Sequence, residues 1–256
     1  MATLSRIKID FGELRSNLSA AWVIAKKDAR IYYLRAPTLM FGIMFPFVMF
    51  LSFAIGRSSP IDILIPGLVA MTIFFSASSI GPVSIPLERR VKTFERLLSA
   101  PISFYAVFLG KVLAGLFFSL AIGAIPIVVG ITFFGSQIVN VVPLIIGFVL
   151  PAFCFSTLGI MFASYPTENP GDVMMLLNFV RLPLIFISGL FISVESLPGW
   201  GQVAATFSPL TYANDLVGYA LEGKTTYGPV LDSIVLLLFT GIFLLIGMRL
   251  EKKFRK

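Results

Sequence analysis

The sequence predicts an all-α membrane protein with six transmembrane helices. Three observations lead there. Of its 256 residues, 57% are hydrophobic and only 13% charged, where a soluble domain is about one quarter charged. Six stretches of roughly twenty mainly apolar residues, the length that crosses hydrocarbon, run along the chain. Of the 20 lysines and arginines, 16 gather before span one, between spans two and three and from the end of span six onward, which is one side of the membrane under the positive-inside rule.

Residues 1–37 are too polar for a signal peptide, and no small-residue cleavage site follows an apolar stretch. Within them, residues 18–35 (LSAAWVIAKKDARIYYLR) read as an amphipathic helix. Leu18, Trp22, Ala25, Ala29 and Tyr32 fall on one face, and Lys26, Lys27 and Arg30 on the other. Aromatic rings and cations suit the headgroup region, so an interfacial helix is expected, serving as an anchor or as a lever for a cytoplasmic partner.

The first span covers 38–57 and the second 63–86. In the second, Pro66, Pro82 and Pro86 predict bends. Ser76, Ser78, Ser79 and Ser84 offer small hydroxyls that pack helices closely or line a path. A connection with six charges between Glu88 and Arg96 follows. As one helix from Leu87 to Ser99, it puts Leu87, Val91, Phe94 and Leu98 on one stripe. Glu88, Lys92 and Glu95 fall on another, at mutually supporting spacing. Such a helix fits a groove of a soluble partner, or is a solvated connector.

Spans three, four and five cover 103–134, 138–163 and 172–193. Arg181 lies near the middle of span five, a costly place for a charge, with Asn178 one turn earlier. Either the pair faces a cavity and meets an anionic substrate, or Arg181 snorkels or pairs with an acid of another span. Residues 194–222 are too polar and proline-interrupted to span, yet too apolar for a free loop, and are expected to dip back into the outer face as re-entrant helices. Span six covers 229–249, and 250–256 is a basic tail. The whole chain, 1–256, reads as one domain, with 1–37, 38–249 and 250–256 as its three parts.

Arg6, Lys8, Arg15, Lys26, Lys27, Arg30 and Arg35 precede span one. Arg89, Arg90, Lys92 and Arg96 lie between spans two and three, and Arg249, Lys252, Lys253, Arg255 and Lys256 close the chain. Both termini are therefore expected in the cytoplasm of a cell-membrane protein. The net charge of +7 follows from these basic ends, and no nucleic-acid partner is expected.

GYALEGKT, residues 218–225, fits the P-loop pattern through Gly218, Gly223, Lys224 and Thr225. It falls outside the cell in this topology, and Gly228-Pro229 stops any helix that a P-loop would open. A helix capped by Gly223 is the expected structure. Histidine is absent, which removes the commonest general base and metal ligand. The lone Cys154 lies in an apolar run and packs as a small hydrophobe.

LERRVKTFERLLSAPISFYAVFLGK resembles the signature of type-2 ABC transporter permeases, E-R-x-x-G-T-x-E-x-L-L-x-x-P-I-S followed by G-K. It matches at Glu88, Arg89, Thr93, Glu95, Leu97, Leu98, Pro101, Ile102, Ser103, Gly110 and Lys111. Lys92 stands where the family commonly has glycine. FISGLFISVESLPGWGQVAATFSPLTYANDL resembles a second family pattern through Ser188, Gly189, Leu197, Pro198, Trp200, Pro209, Leu210, Thr211, Tyr212 and Asp215, with Ser193 where proline is common.

The resemblance implies the permease subunit of an ATP-driven exporter, not itself an enzyme. Two copies would pair, each on a separate nucleotide-binding ATPase subunit that holds ATP and magnesium, with no cofactor on this chain. Glu88, Arg89, Arg90, Thr93, Glu95 and Arg96 would form the coupling helix that meets the ATPase. Asn178, Arg181, Ser76 and Ser79 are candidates for the translocation path. The alternative is an ion-coupled secondary transporter or channel, which would favour paired intramembrane acids or inverted repeats; neither is evident. A membrane-embedded enzyme would want clustered acids or histidines, and Glu168 with Asp172 are too few.

Overall fold

The computed structural model describes residues 11–54 and 64–254. Its centre is a single helix, Ile65–Arg90, buried from Ile65 through Pro86. In chain order the α-helices are α1 (Phe11–Tyr32), α2 (Ala36–Leu39), α3 (Phe45–Ala54), the central α4 (Ile65–Arg90), α5 (Thr93–Leu98), α6 (Phe104–Phe134), α7 (Val141–Ala163), α8 (Pro170–Ile187), α9 (Gly199–Thr206), α10 (Pro209–Glu222) and α11 (Pro229–Phe254). No strand occurs among the described residues.

Helix ends follow local chemistry. The Ser103 hydroxyl accepts from the Ala106 amide and opens α6. The Asn169 side chain accepts from the Gly171 amide and opens α8, with Pro170 in the first turn. Gly223, at φ +73, closes α10 in the left-handed conformation that glycine adopts without cost.

Around α4 pack α6, α7, α10 and α8, with α1 laid along α6. Small residues set the closeness. A Cβ on Gly159 of α7 would collide with the Ser78 carbonyl of α4, where Pro82 has removed the amide that carbonyl would otherwise accept from. Phe74 and Phe155 meet at 4.7 Å and Phe45 and Phe75 at 4.7 Å. Between lipid-bathed helices such contacts stabilise by packing, not by expelling water.

Among the described residues five helices, α4, α6, α7, α8 and α11, are long and apolar enough to cross a bilayer, and six spans result if the bent pair Arg15–Tyr32 and Ala36–Met49 counts as one. The two arms of that pair meet at 92°. The expected first span is helical from Ala36 to Ala54, with a π-helical interruption. A π-helical stretch, Met40–Met44, separates α2 from α3, and the Phe45 amide bonds the Met40 carbonyl. Pro46 lacks the amide that Gly42 would need for α-helical pairing. Residues 55–57, including Arg57, lie outside the described residues.

The connection after span two also departs from expectation. α4 runs on to Arg90, the chain turns at Val91-Lys92, and α5 restarts at Thr93. Lys92 sits at φ +59, the one non-glycine residue of positive φ among those described. The break leaves Val91 exposed and sends Glu88 inward, so the Glu88–Lys92–Glu95 stripe does not form. Pro82 and Pro86 leave α4 a single helix. In α1 the buried face is Ala21, Ile24, Ala25, Asp28 and Tyr32, while Leu18 and Trp22 point outward and Lys27 turns toward α4.

Candidate functional site

Two buried polar clusters stand out. The first joins α1, α4 and α6. The Lys111 ammonium lies 2.7 Å from Glu88 Oε2 and 2.9 Å from Asp28 Oδ2. Lys27 bridges the same two acids, 2.8 Å from Asp28 Oδ1 and in contact with Glu88 Oε1. The Tyr32 hydroxyl adds a 3.3 Å bond to Glu88. Two cations and two anions balance, which is what makes burial tolerable. The Lys111 contacts are ion pairs by distance and lack hydrogen-bond alignment.

Gly110 explains the neighbouring position of the motif. A Cβ there would fall 2.7 Å from Ile24 Cβ and 2.8 Å from the Ala21 carbonyl. Without glycine, α1 could not lie close enough for Asp28 and Lys27 to reach Glu88 and Lys111.

Arg89 builds the adjoining tie. Its guanidinium donates to the Ala163 and Tyr165 carbonyls at 3.0 and 2.6 Å, pairs with Glu251 Oε2 of α11 at 2.6 Å, and stacks over the Phe94 ring at 5.3 Å. Phe94 is the buried residue of α5. The Thr93 hydroxyl donates to the Glu88 carbonyl at 3.2 Å. Arg90, Thr93, Glu95 and Arg96 face outward. Of the six residues expected to meet a partner, four are thus accessible, while Glu88 and Arg89 are interior anchors beneath them. Lys92 reaches Glu168 of the next connection on this side at 3.6 Å, with both side chains exposed.

The second cluster surrounds Arg181, wholly buried between α8 and α4. Nε and Nη2 donate to the Ser78 hydroxyl at 3.1 and 2.6 Å, Nη2 also to Ser79 at 3.2 Å, and Nη1 to Asn178 Oδ1 at 3.3 Å. The guanidinium lies 4.9 Å from the Phe75 ring centre. Arg181 neither snorkels nor pairs with an acid among the described residues. Its neighbours are hydroxyls and an amide because α4 presents Ser78 and Ser79 at that depth. Ser76 stays apart and bonds the Thr72 carbonyl.

At the opposite end from α5, the second motif forms the α9–α10 corner. Thr211 donates to the Ala205 carbonyl at 2.8 Å and Tyr212 to the Thr206 carbonyl at 2.9 Å. Asp215 accepts from the Thr225 hydroxyl and the Thr226 and Tyr227 amides at 2.8–3.0 Å. Residues 218–222 of the P-loop-like stretch are the last part of α10, so their amides serve the helix and form no phosphate-binding loop. Burial, with Asp215 beside it, lifts the Tyr227 phenol above its ordinary range.

The sequence reading missed Lys27, Asp28, Lys111 and Glu251 as ion-pair partners. A signal existed for two. Asp28 follows Ala21, Ile24 and Ala25 at inward helical spacing, and Lys111 lies inside a span; a buried acid and a buried base each demand a mate.

A bundle of bilayer-length apolar helices, fastened at one end by buried ion pairs around a short solvent-facing helix, defines a multi-pass membrane protein. The family model for ABC-2 type transporters matches residues 19–221, from α1 to the end of α10, and the chain belongs to that family. It is 25% identical over 197 residues, 77% of each chain, to the inner membrane transport permease YadH of Escherichia coli K12, and likewise to that of Shigella flexneri. It is 24% identical over 225 residues, 84% of this chain and 76% of the relative, to the daunorubicin resistance ABC transporter permease protein DrrB1 of Streptomyces coeruleorubidus. The protein is a transmembrane ABC transporter permease of the cell membrane, and members of its family are transport subunits, not catalytic ones.

Proposed function

We propose that the chain is the membrane half of an ATP-driven exporter. Two copies form the path, and each docks a separate ATPase subunit that binds ATP and magnesium. Both termini face the cytoplasm, α1 lies in the membrane interface, and α9 and α10 dip back into the outer face. The observation that carries this reading is α5. It is a six-residue helix whose Glu95 and Arg96 face solvent while Phe94 is clamped under Arg89. A push on its outer face passes through Phe94 to Arg89 and Glu251, and along the turn to Glu88, Lys111 and α1. Five helices are thereby addressed from one contact. Asn178, Arg181 and Ser79 line the path side of the bundle in this reading.

The test is affinity purification from native membranes with identification of companion chains. A vanadate-sensitive ATPase should accompany the wild type and be lost from Glu95→Lys and Arg96→Glu, both exposed, while each variant elutes as the wild type does. Recovery of the permease alone, with transport indifferent to ATP, would favour the ion-coupled carrier.

A further inference from the structure

We infer that the groove over α8 binds a single-chain anionic amphiphile, with its acid group drawn to Arg181; this rests on the permease reading and names its class of cargo. The groove holds about 600 Å³ and is lined by Phe41, Met175, Asn178, Phe179, Leu182 and Pro183 among others. Its walls are apolar, and Met175 and Phe179 are exposed. Asn178 is its polar feature, and Asn178 Oδ1 is the group that holds Arg181 Nη1, at a long 3.3 Å.

The charge behind Asn178 selects the occupant. Arg181 is fully buried and its neighbours are neutral: Ser78, Ser79, Asn178 and the Phe75 ring. No carboxylate pairs with it among the described residues, whereas Lys27, Lys111 and Arg89 are each matched by an acid. A buried cation without a counter-ion, one hydrogen bond behind the groove's Asn178, attracts an anion, and a carboxylate offers the guanidinium a charge that an amide oxygen lacks. An incoming acid takes the place of Asn178 Oδ1 on Nη1, while its hydrocarbon lies along Met175, Phe179 and Leu182. The volume suits one chain of drug-like size.

The probe is 11-(dansylamino)undecanoic acid, titrated by fluorescence into the full chain in neutral maltoside micelles, with its methyl ester as the uncharged control. The acid should bind at least tenfold more tightly than the ester. Asn178→Asp gives Arg181 a counter-ion of its own and should remove that preference while the chain still elutes and melts like wild type. If Arg181 only fastens α8 to α4, the substitution would leave acid binding unchanged, and the inference fails. Equal binding of acid and ester also overturns it. Displacement by inorganic phosphate alone would make this a simple anion site, and displacement by phosphatidylglycerol a lipid site; each overturns the proposal. Because no ATPase takes part, failure here leaves the coupling reading standing, and loss of the ATPase companion leaves this result standing.

Discussion

Glu88 of α4 and Lys111 of α6 face each other at 2.7 Å, each almost wholly buried. The two ends of the first sequence motif are therefore halves of one ion pair, with Asp28 and Lys27 of α1 completing it. Removing one member of a buried pair strands the other and costs about 3–5 kcal/mol. Lys111→Met and Glu88→Gln are each expected to lower the melting temperature in detergent sharply. Together they leave Lys27 with Asp28, a balanced pair, so the double variant should be less damaged than the sum of the two, by about 1–3 kcal/mol of coupling. Additive losses would show that the quartet is not one unit.

Much of this arrangement was legible in the sequence, and the illegible part has a physical cause. Span positions follow from apolar runs, which register over twenty residues and tolerate small errors. α6 begins one residue from the expected start, and α7 ends where expected. Which part of α1's apolar face packs inward was not legible: Leu18 and Trp22 share that face with Ala25 and Tyr32 yet point outward, because in a membrane protein the outward side is apolar too. The connection after span two was read as one helix because periodicity continues through Val91 and Lys92, while the turn is decided by the backbone at a single residue. The departure from the family pattern at Lys92 was the available clue.

Lys92 supplies the next expectation. A non-glycine residue in the left-handed region costs about 1 kcal/mol. Its exposed pair with Glu168 at 3.6 Å returns little. Lys92→Gly should stabilise the chain by up to about 1 kcal/mol, and Lys92→Val, β-branched and worse suited to positive φ, should destabilise it. Thermal unfolding of the two variants side by side checks this; a glycine variant that melts lower than wild type would mean the Glu168 contact outweighs the strain.

Asp215 holds the loop between α10 and α11 through three donors from Thr225, Thr226 and Tyr227. Bonds to a charged acceptor are each worth about 1.5–3 kcal/mol. Asp215→Ala should loosen residues 223–228 and make them the first site of limited proteolysis, with little change in the rest of the bundle. Lys224→Ala should leave that loop intact. Photolabelling with an azido-ATP should be at background for wild type and Lys224→Ala alike, since residues 218–222 are the end of α10 and not a phosphate-binding loop. Specific labelling lost on that substitution would reopen the nucleotide reading.

Gly159 and Gly241 make a controlled comparison, both lying inside long helices of the bundle. A Cβ on Gly159 would enter the Ser78 carbonyl and approach Ser78 Cα at 2.9 Å, and these are backbone atoms of the central helix that cannot swing aside. A Cβ on Gly241 of α11 would meet nothing within 4 Å. Alanine favours a helix interior by about 1 kcal/mol over glycine at either place. At Gly241 that preference acts alone, and Gly241→Ala should be neutral or slightly stabilising. At Gly159 it is opposed by forcing α7 away from α4, an overpacking cost of about 1–3 kcal/mol or more. The shift also disturbs the Ser78 hydroxyl that bonds Arg181. Gly159→Ala should therefore melt several degrees lower and reduce transport, and Gly159→Ser should be worse. If both alanine variants behave alike, α4 and α7 are not in the close contact that brings Ser78 to Arg181, and the path side of the bundle would need a different packing.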